Sequence, residues 1–304
     1  MLSYDTVRQR PDQFLACTGL TVDEFDILLP AFSHAWDEYC KKNYVNSGGG
    51  KPKLPRVGDK LFFILLYYKV YPIQAAMGAI FGMSQSQACV WIHALSPVLK
   101  RALGIEKCLP ERNPRKLKAA LEACAMHDFI IDGTERERQR PSDPSEQKNF
   151  YSGKQKAHTY NNIVIVDAHA QTVEYLSQTY EGTYHDKAIC DEEQYAFPEN
   201  ATLQKDRGFQ GYEPENVITY QPKKKPRNGT LSIGDKLLNR AISSSRIVVE
   251  HVISGIKRCR IVKDVLRNTR VEFEDMVMEI ACALHNFRQK LRSKSECVNI
   301  FDII

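Results

Sequence analysis

Nowhere in its 304 residues does the chain carry a C-x-x-C pair, although it holds nine cysteines. An odd number without paired spacing excludes a disulfide framework and a thiolate zinc site, and leaves the reduced thiols of an intracellular protein. Long hydrophobic runs are missing too. The most apolar stretch, Leu61 to Tyr68, is far too short to span a bilayer, and no apolar signal segment follows Met1. A soluble, cytoplasmic protein without a membrane partner is expected. Charge of one sign is scarce, with a formal net charge of only +5, so nucleic-acid contact has to come from local patches. Asp167 with His169, and His185 with Asp186, each stand without a third ligand at a diagnostic spacing. Asp167 reads as a turn residue. His185-Asp186 opens a helical stretch to about Tyr195, where an acid suits a helix N-terminus.

The length leaves room for one large domain and a smaller one, and a hydrophobic fraction of 43% is ordinary for a buried core. Asn46 to Pro52 is a polar, glycine-rich break that cannot sustain a helix. Before it, Thr21 and Glu24 form a capping box, and Phe25, Leu28, Leu29, Phe32 and Trp36 recur at helical spacing, as in a packing helix. After it, Lys60 to Leu103 reads as helix, short helix, a Phe81-Gly82-Met83-Ser84 turn and a further helix, with Ser84 and Gln87 as a second capping box. That pattern fits a helix-turn-helix whose second helix meets base edges through Gln85, Ser86 and Gln87. It also fits an ordinary helical hairpin with a solvated first turn. A second linker, Pro110 to Arg115, precedes a short helix over Lys116 to Met126.

Three carboxylates are the most informative residues. Phe129 to Ile131 reads as a buried strand that ends on Asp132, with Gly133 permitting a sharp exit. Asp206 closes a second strand-like run, Ala201 to Lys205. Glu250 lies in a long helical pattern, Asp235 to Asp264, with Arg246 four residues before it and Lys257 seven after, all on one helical face. Acids gathered from separate elements repel one another unless a cation joins them, and oxygen ligands without His or Cys favour Mg²⁺ or Mn²⁺. Arg246 and Lys257 beside them suit phosphate oxygens, so two-metal phosphoryl transfer on DNA or RNA fits the set. On spacing alone, three unrelated carboxylates, two in turns and one in a surface ion pair, fit as well.

From Asp132 to about Arg292 the chain resembles the DDE transposases of bacterial insertion sequences, of the branch that is also similar to the PIF/Harbinger transposases. The matching residues are Ile131 to Glu135, Tyr151-Ser152-Gly153-Lys154 with Lys156 and His158, Gly182 with His185-Asp186-Lys187, Asp206-Arg207-Gly208-Phe209, and Arg246-x3-Glu250-x6-Lys257. Ser243 stands where that last signature often has a tyrosine, which affects only an accessory DNA contact. The resemblance implies an α/β fold: an RNase H-like catalytic domain with a mixed central sheet, preceded by an all-α helix-turn-helix domain. The expected division is an N-terminal helical segment (1–50), the helix-turn-helix (51–110), the catalytic domain (118–292) and a tail (293–304). The resemblance also implies that Asp132, Asp206 and Glu250 are the catalytic and metal-binding residues, holding two Mg²⁺ or Mn²⁺ ions. Arg246 and Lys257 would contact DNA, and His185 and Asp186 would support the site.

The implied function is binding the ends of a mobile DNA element, then metal-dependent strand cleavage and transfer. Double-stranded DNA is the partner, and holding two ends calls for a homodimer. The protein would act at the bacterial nucleoid, or in the nucleus of a eukaryotic host. A domesticated, catalytically silent DNA-binding regulator and a stand-alone metal nuclease are the alternatives. Lys223, Lys224 and Lys225 form the densest positive run, a proline-flanked loop that either follows a phosphate backbone or is simply solvated. The helix over Val271 to Arg292 carries Phe273, Met276, Val277, Ile280 and Leu284 at core spacing. Tyr160 to Asp167 and Thr172 to Thr179 read as a β-hairpin beside the Asp132 strand.

Overall fold

The computed structural model describes residues 2–43, 52–224 and 230–301, and the chain divides into two compact units. The helical unit opens with α1 (Tyr4–Arg8), α2 (Pro11–Thr18), α3 (Val22–Asn43), α4 (Val57–Val70), α5 (Gln74–Phe81) and α6 (Gln85–Ile105). The Leu61–Tyr68 run is the buried body of α4, every residue of it shielded from solvent. It is apolar on all sides because helices surround it, with α2, α3 and α6 packed against it. Among the described residues no helix is long and apolar enough to cross a membrane. Both capping boxes form: Thr21 Oγ1 accepts from Glu24 N at 3.1 Å, and Ser84 Oγ accepts from Gln87 N at 3.2 Å. Between α5 and α6 the chain turns at Gly82, whose φ of 66° lies in the left-handed region that glycine enters without strain.

The second unit starts with α7 (Leu117–Glu122), a shorter helix than the expected Lys116 to Met126. Its sheet is built from β1 (Asp128–Glu137), β2 (Tyr151–Ser152), β3 (Ala157–Asp167), β4 (Val173–Leu176), β5 (Tyr180–Glu181), β6 (Ala201–Lys205) and β7 (Val217–Tyr220). Two helices interrupt them, α8 (Pro144–Phe150) and α9 (Asp186–Glu193). β3 pairs antiparallel with β1 on one side and with β4 and β5 on the other; β6 runs parallel to β1, and β7 parallel to β6. Three antiparallel strands followed by two parallel ones is the order of an RNase H-like sheet. The expected hairpin of β3 and β4 is present, and Asp167 is its turn residue, accepting from His169 N and Ala170 N at 2.8 and 2.9 Å. One face of the sheet packs Phe129, Ile131, Ile163, Ile165 and Leu203 against Ile189 and Cys190 of α9.

α10 (Ile233–Ile256) closes this unit, while α11 (Arg260–Lys263) and α12 (Phe273–Phe301) belong to the helical one, α11 packing on α4 and α12 on α6. Two sequence expectations need correction. Asp132 does not end a strand: β1 runs on through Gly133 to Glu137, because β3 continues to pair with it as far as Thr159. Nor is Asp235 to Asp264 one helix. α10 stops at Ile256, and the extended backbone of the buried Cys259 starts α11 separately, so Lys257 lies just beyond the helix that carries Glu250. The core face of α12 is as expected at Phe273, Val277, Ile280 and Leu284, all buried, with Met276 half-buried. Cys17, Cys40, Cys89, Cys108, Cys124, Cys190, Cys259 and Cys282 are free thiols.

Candidate active site

Strand register brings the first two carboxylates together. Ile131 of β1 pairs with Lys205 of the parallel β6, so Asp132 and Asp206 occupy the next position on neighbouring chains, about 5 Å apart at their Cα atoms. Phe129 and Ile131 point into the hydrophobic cluster, and alternation turns Asp132 to the opposite face of the sheet. β6 ends where the acid begins: Asp206 caps a short turn, its Oδ1 accepting from Arg207 N at 2.6 Å. The buried neighbour, Lys205, is held by the Tyr212 carbonyl and by Glu213 Oε1 at 2.6 Å.

Asp132 Oδ1 accepts from Gly133 N at 2.9 Å. Its pKa is nevertheless pushed up to about 6, first by burial and then by the negative charges of Asp186 and Asp206, against the lowering effects of the Gly133 amide and Arg246. Arg246, from α10, reaches Asp206 Oδ2 with its Nη2 at 3.2 Å. The guanidinium thus stands beside both acids.

Asp186 is the residue whose centrality the linear sequence understates. As the first residue of α9, it seats its carboxylate against two glycines: a Cβ at Gly133 would fall 2.3 Å from Oδ1, and one at Gly208 would fall 2.9 Å from Oδ2. Asn161 Nδ2, on β3, donates to Asp186 Oδ1 at 3.0 Å and to the Tyr184 carbonyl at 3.1 Å. The signal for this contact was there, a glycine one residue after the first acid and two after the second, but Gly133 reads alone as a turn former. His185 is exposed and is the residue before α9, without a side-chain cap. Glu250 is exposed on α10, one turn beyond Arg246. Among the described residues no group of three or more His, Cys, Asp or Glu side chains is close enough to hold a metal ion. The structure joins Asp132 and Asp206 with Arg246 and sets Asp186 against the glycines beside them, while Glu250 follows Arg246 by one turn on α10.

In the helical unit, Gln85, Ser86 and Gln87 are all exposed at the start of α6. Gln87 differs from the other two because its Oε1 accepts from Ser84 N at 3.0 Å and is committed to the cap. Of the cationic loop, Lys223 pairs with Asp235 in the first turn of α10 at 2.6 Å, Lys224 is exposed, and Lys225 lies outside the described residues.

An RNase H-like sheet that sets two aspartates side by side, in a chain with a helix-turn-helix, defines a nucleic-acid phosphoryl-transfer protein. The chain belongs to the DDE superfamily endonucleases, whose family matches residues 131–286, and residues 52–105 match the helix-turn-helix of DDE superfamily endonuclease. It is similar to the probable transposase for insertion sequence element IS702 of Microchaete diplosiphon, with 26% identity over 283 residues, which is 92% of this chain and 96% of that protein. No solved structure matches it. Membership in this superfamily implies use of a divalent metal. The donor set fits a hard cation: two adjacent carboxylates, one with its proton affinity raised by burial and, less, by neighbouring acids, and an arginine as counter-charge.

Proposed function

We propose that the protein is a DDE transposase that binds the ends of a mobile DNA element and catalyses strand cleavage and strand transfer. The observation that carries this reading is the Ile131–Lys205 register, which makes Asp132 and Asp206 neighbours across parallel strands. Asp132 and Asp206 would hold the divalent cations, Mg²⁺ or Mn²⁺, and Glu250 would join them from α10 when DNA is bound. Bound there, two such cations would supply Lewis-acid polarisation of the scissile phosphodiester and a lower pKa for the nucleophile.

The chain's own residues do the rest. Arg246 exchanges its carboxylate partner on Asp206 for a non-bridging phosphate oxygen, a bidentate geometry that guanidinium suits. Lys257, beyond the end of α10, and Lys223 and Lys224 hold phosphates by charge alone. Gln85 and Ser86 contact base edges from the N-terminus of α6, with Gln87 holding that terminus in shape. His185 introduces Asp186 at the back of the site. Two DNA ends held at once call for a homodimer, acting where the DNA is: on the nucleoid of a bacterial host.

Labelled DNA carrying the element's ends, incubated with the purified protein and Mg²⁺ or Mn²⁺, tests the reading. Wild-type protein should nick and join the ends, and Asp132→Ala, Asp206→Ala and Glu250→Ala should bind but not cut. Cleavage that survives all three substitutions would sink the assignment.

A further inference from the structure

We propose that Asp186 is a positioning residue of this site, one that sets the spacing of the two acid-bearing segments and supplies a third negative charge behind them. The inference rests on Asp132 and Asp206 being the cation-holding pair.

One carboxylate abuts both segments at once. Gly133 follows Asp132 directly, Gly208 stands two residues after Asp206, and the oxygens of Asp186 occupy the space that a side chain at either glycine would need. Gly133 shares the sheet face of Ile131, so Asp186 presses on the strand from the side opposite to the one Asp132 presents. The wedge is itself held. Asn161, only 3% exposed, donates to it, and the same amide nitrogen ties down the Tyr184 carbonyl ahead of α9. Behind it, α9 is fixed in the core by Ile189 and Cys190. The Asn161 amide oxygen is buried without a hydrogen-bond partner, so this group is oriented by what its nitrogen holds.

A wedge that acts by shape alone needs no charge, and an amide would serve. Asp186 is a carboxylate, and its oxygens lie against Gly133, the residue next to Asp132, and against Gly208, two residues from Asp206. An acid that is not a ligand but sits behind ligands tunes a metal site by fixing their orientation and adding to their field.

Calorimetric titration of the full-length protein with MnCl₂, without DNA, separates these roles. Asp186→Asn keeps the shape and removes the charge; it should melt near the wild-type temperature and bind Mn²⁺ roughly tenfold more weakly. Asn161→Ala keeps the charge and releases the anchor, and should weaken binding less. Wild-type Mn²⁺ affinity in Asp186→Asn overturns the proposal, and should that variant fail to fold, wild-type affinity in Asn161→Ala overturns it instead. If Asp132→Asn binds Mn²⁺ as the wild type does, the underlying assignment of the pair falls, and the role of Asp186 with it.

Discussion

Arg246 Nη2 lies 3.2 Å from Asp206 Oδ2, each side chain one-third exposed. A cation is thus already in place beside the acids, and a metal has to share or displace it. At this exposure the pair is worth about 1 kcal/mol or less. Arg246→Ala should therefore tighten Mn²⁺ binding by a few-fold at most and cost little stability, while lowering DNA cleavage severely. Calorimetry and a cleavage assay on the same preparation check both. Weaker Mn²⁺ binding in Arg246→Ala would contradict the competition.

Asp132 ties stability to pH. Its carboxyl holds a proton more tightly in the folded chain than in the unfolded one, so folding is favoured while both forms are protonated. That advantage disappears as pH rises from the unfolded value through about 6. Asp132→Asn removes the cost of ionising this half-buried group. In metal-free buffer the variant should be more stable than wild type by about 3 kcal/mol near neutral pH and above, and scarcely different below about pH 4. Denaturant melts at several pH values give the measurement; a difference that does not change with pH would refute the burial argument.

Gly133 and Gly208 should differ in their tolerance of a methyl group. At Gly133 the new Cβ meets both oxygens and the Cγ of Asp186, at 2.3 to 2.9 Å, whereas at Gly208 only Oδ2 is as close as 2.9 Å. Gly133→Ala should cost about 1–3 kcal/mol by overpacking, and Gly208→Ala less. Pairing Gly133→Ala with Asp186→Ala should recover part of the loss, because the clash and the group it meets are then removed together.

At the start of α6, structure and recognition should separate by residue. Ser84→Ala loses the cap and should lower stability by about 1 kcal/mol, with Gln87→Ala following it to a smaller extent. Gln85→Ala and Ser86→Ala should melt like wild type yet lose about 1–3 kcal/mol of discrimination for the element's end sequence. Thermal melts and binding to specific and scrambled DNA distinguish the two groups.

Much of this architecture was legible because it is local. Capping boxes at Thr21 and Ser84, the glycine turn at Gly82 and the strand of Ala201 to Lys205 each follow from a few adjacent residues. The errors came where distant pairing decides. Phe129 to Ile131 followed by Asp-Gly looks like a strand that stops, and it continues only because β3 is there to pair with residues up to Glu137. The break after Ile256 was hidden because a buried Cys259 and the apolar Ile261 and Val262 keep a helical rhythm across a turn.

By itself, then, the sequence determined the kinds of residue available for chemistry, the elements that carry them and the family to which they belong, since those depend on composition, spacing and short-range hydrogen bonding. Tertiary structure alone decided which acids meet. Parallel register makes Asp206 the neighbour of Asp132 although 74 positions part them in the chain, and the space above Gly133 and Gly208 admits Asp186 as the third charge. Electrostatic coupling depends on distance through space, and only the paired strands and the seating of α9 set that distance.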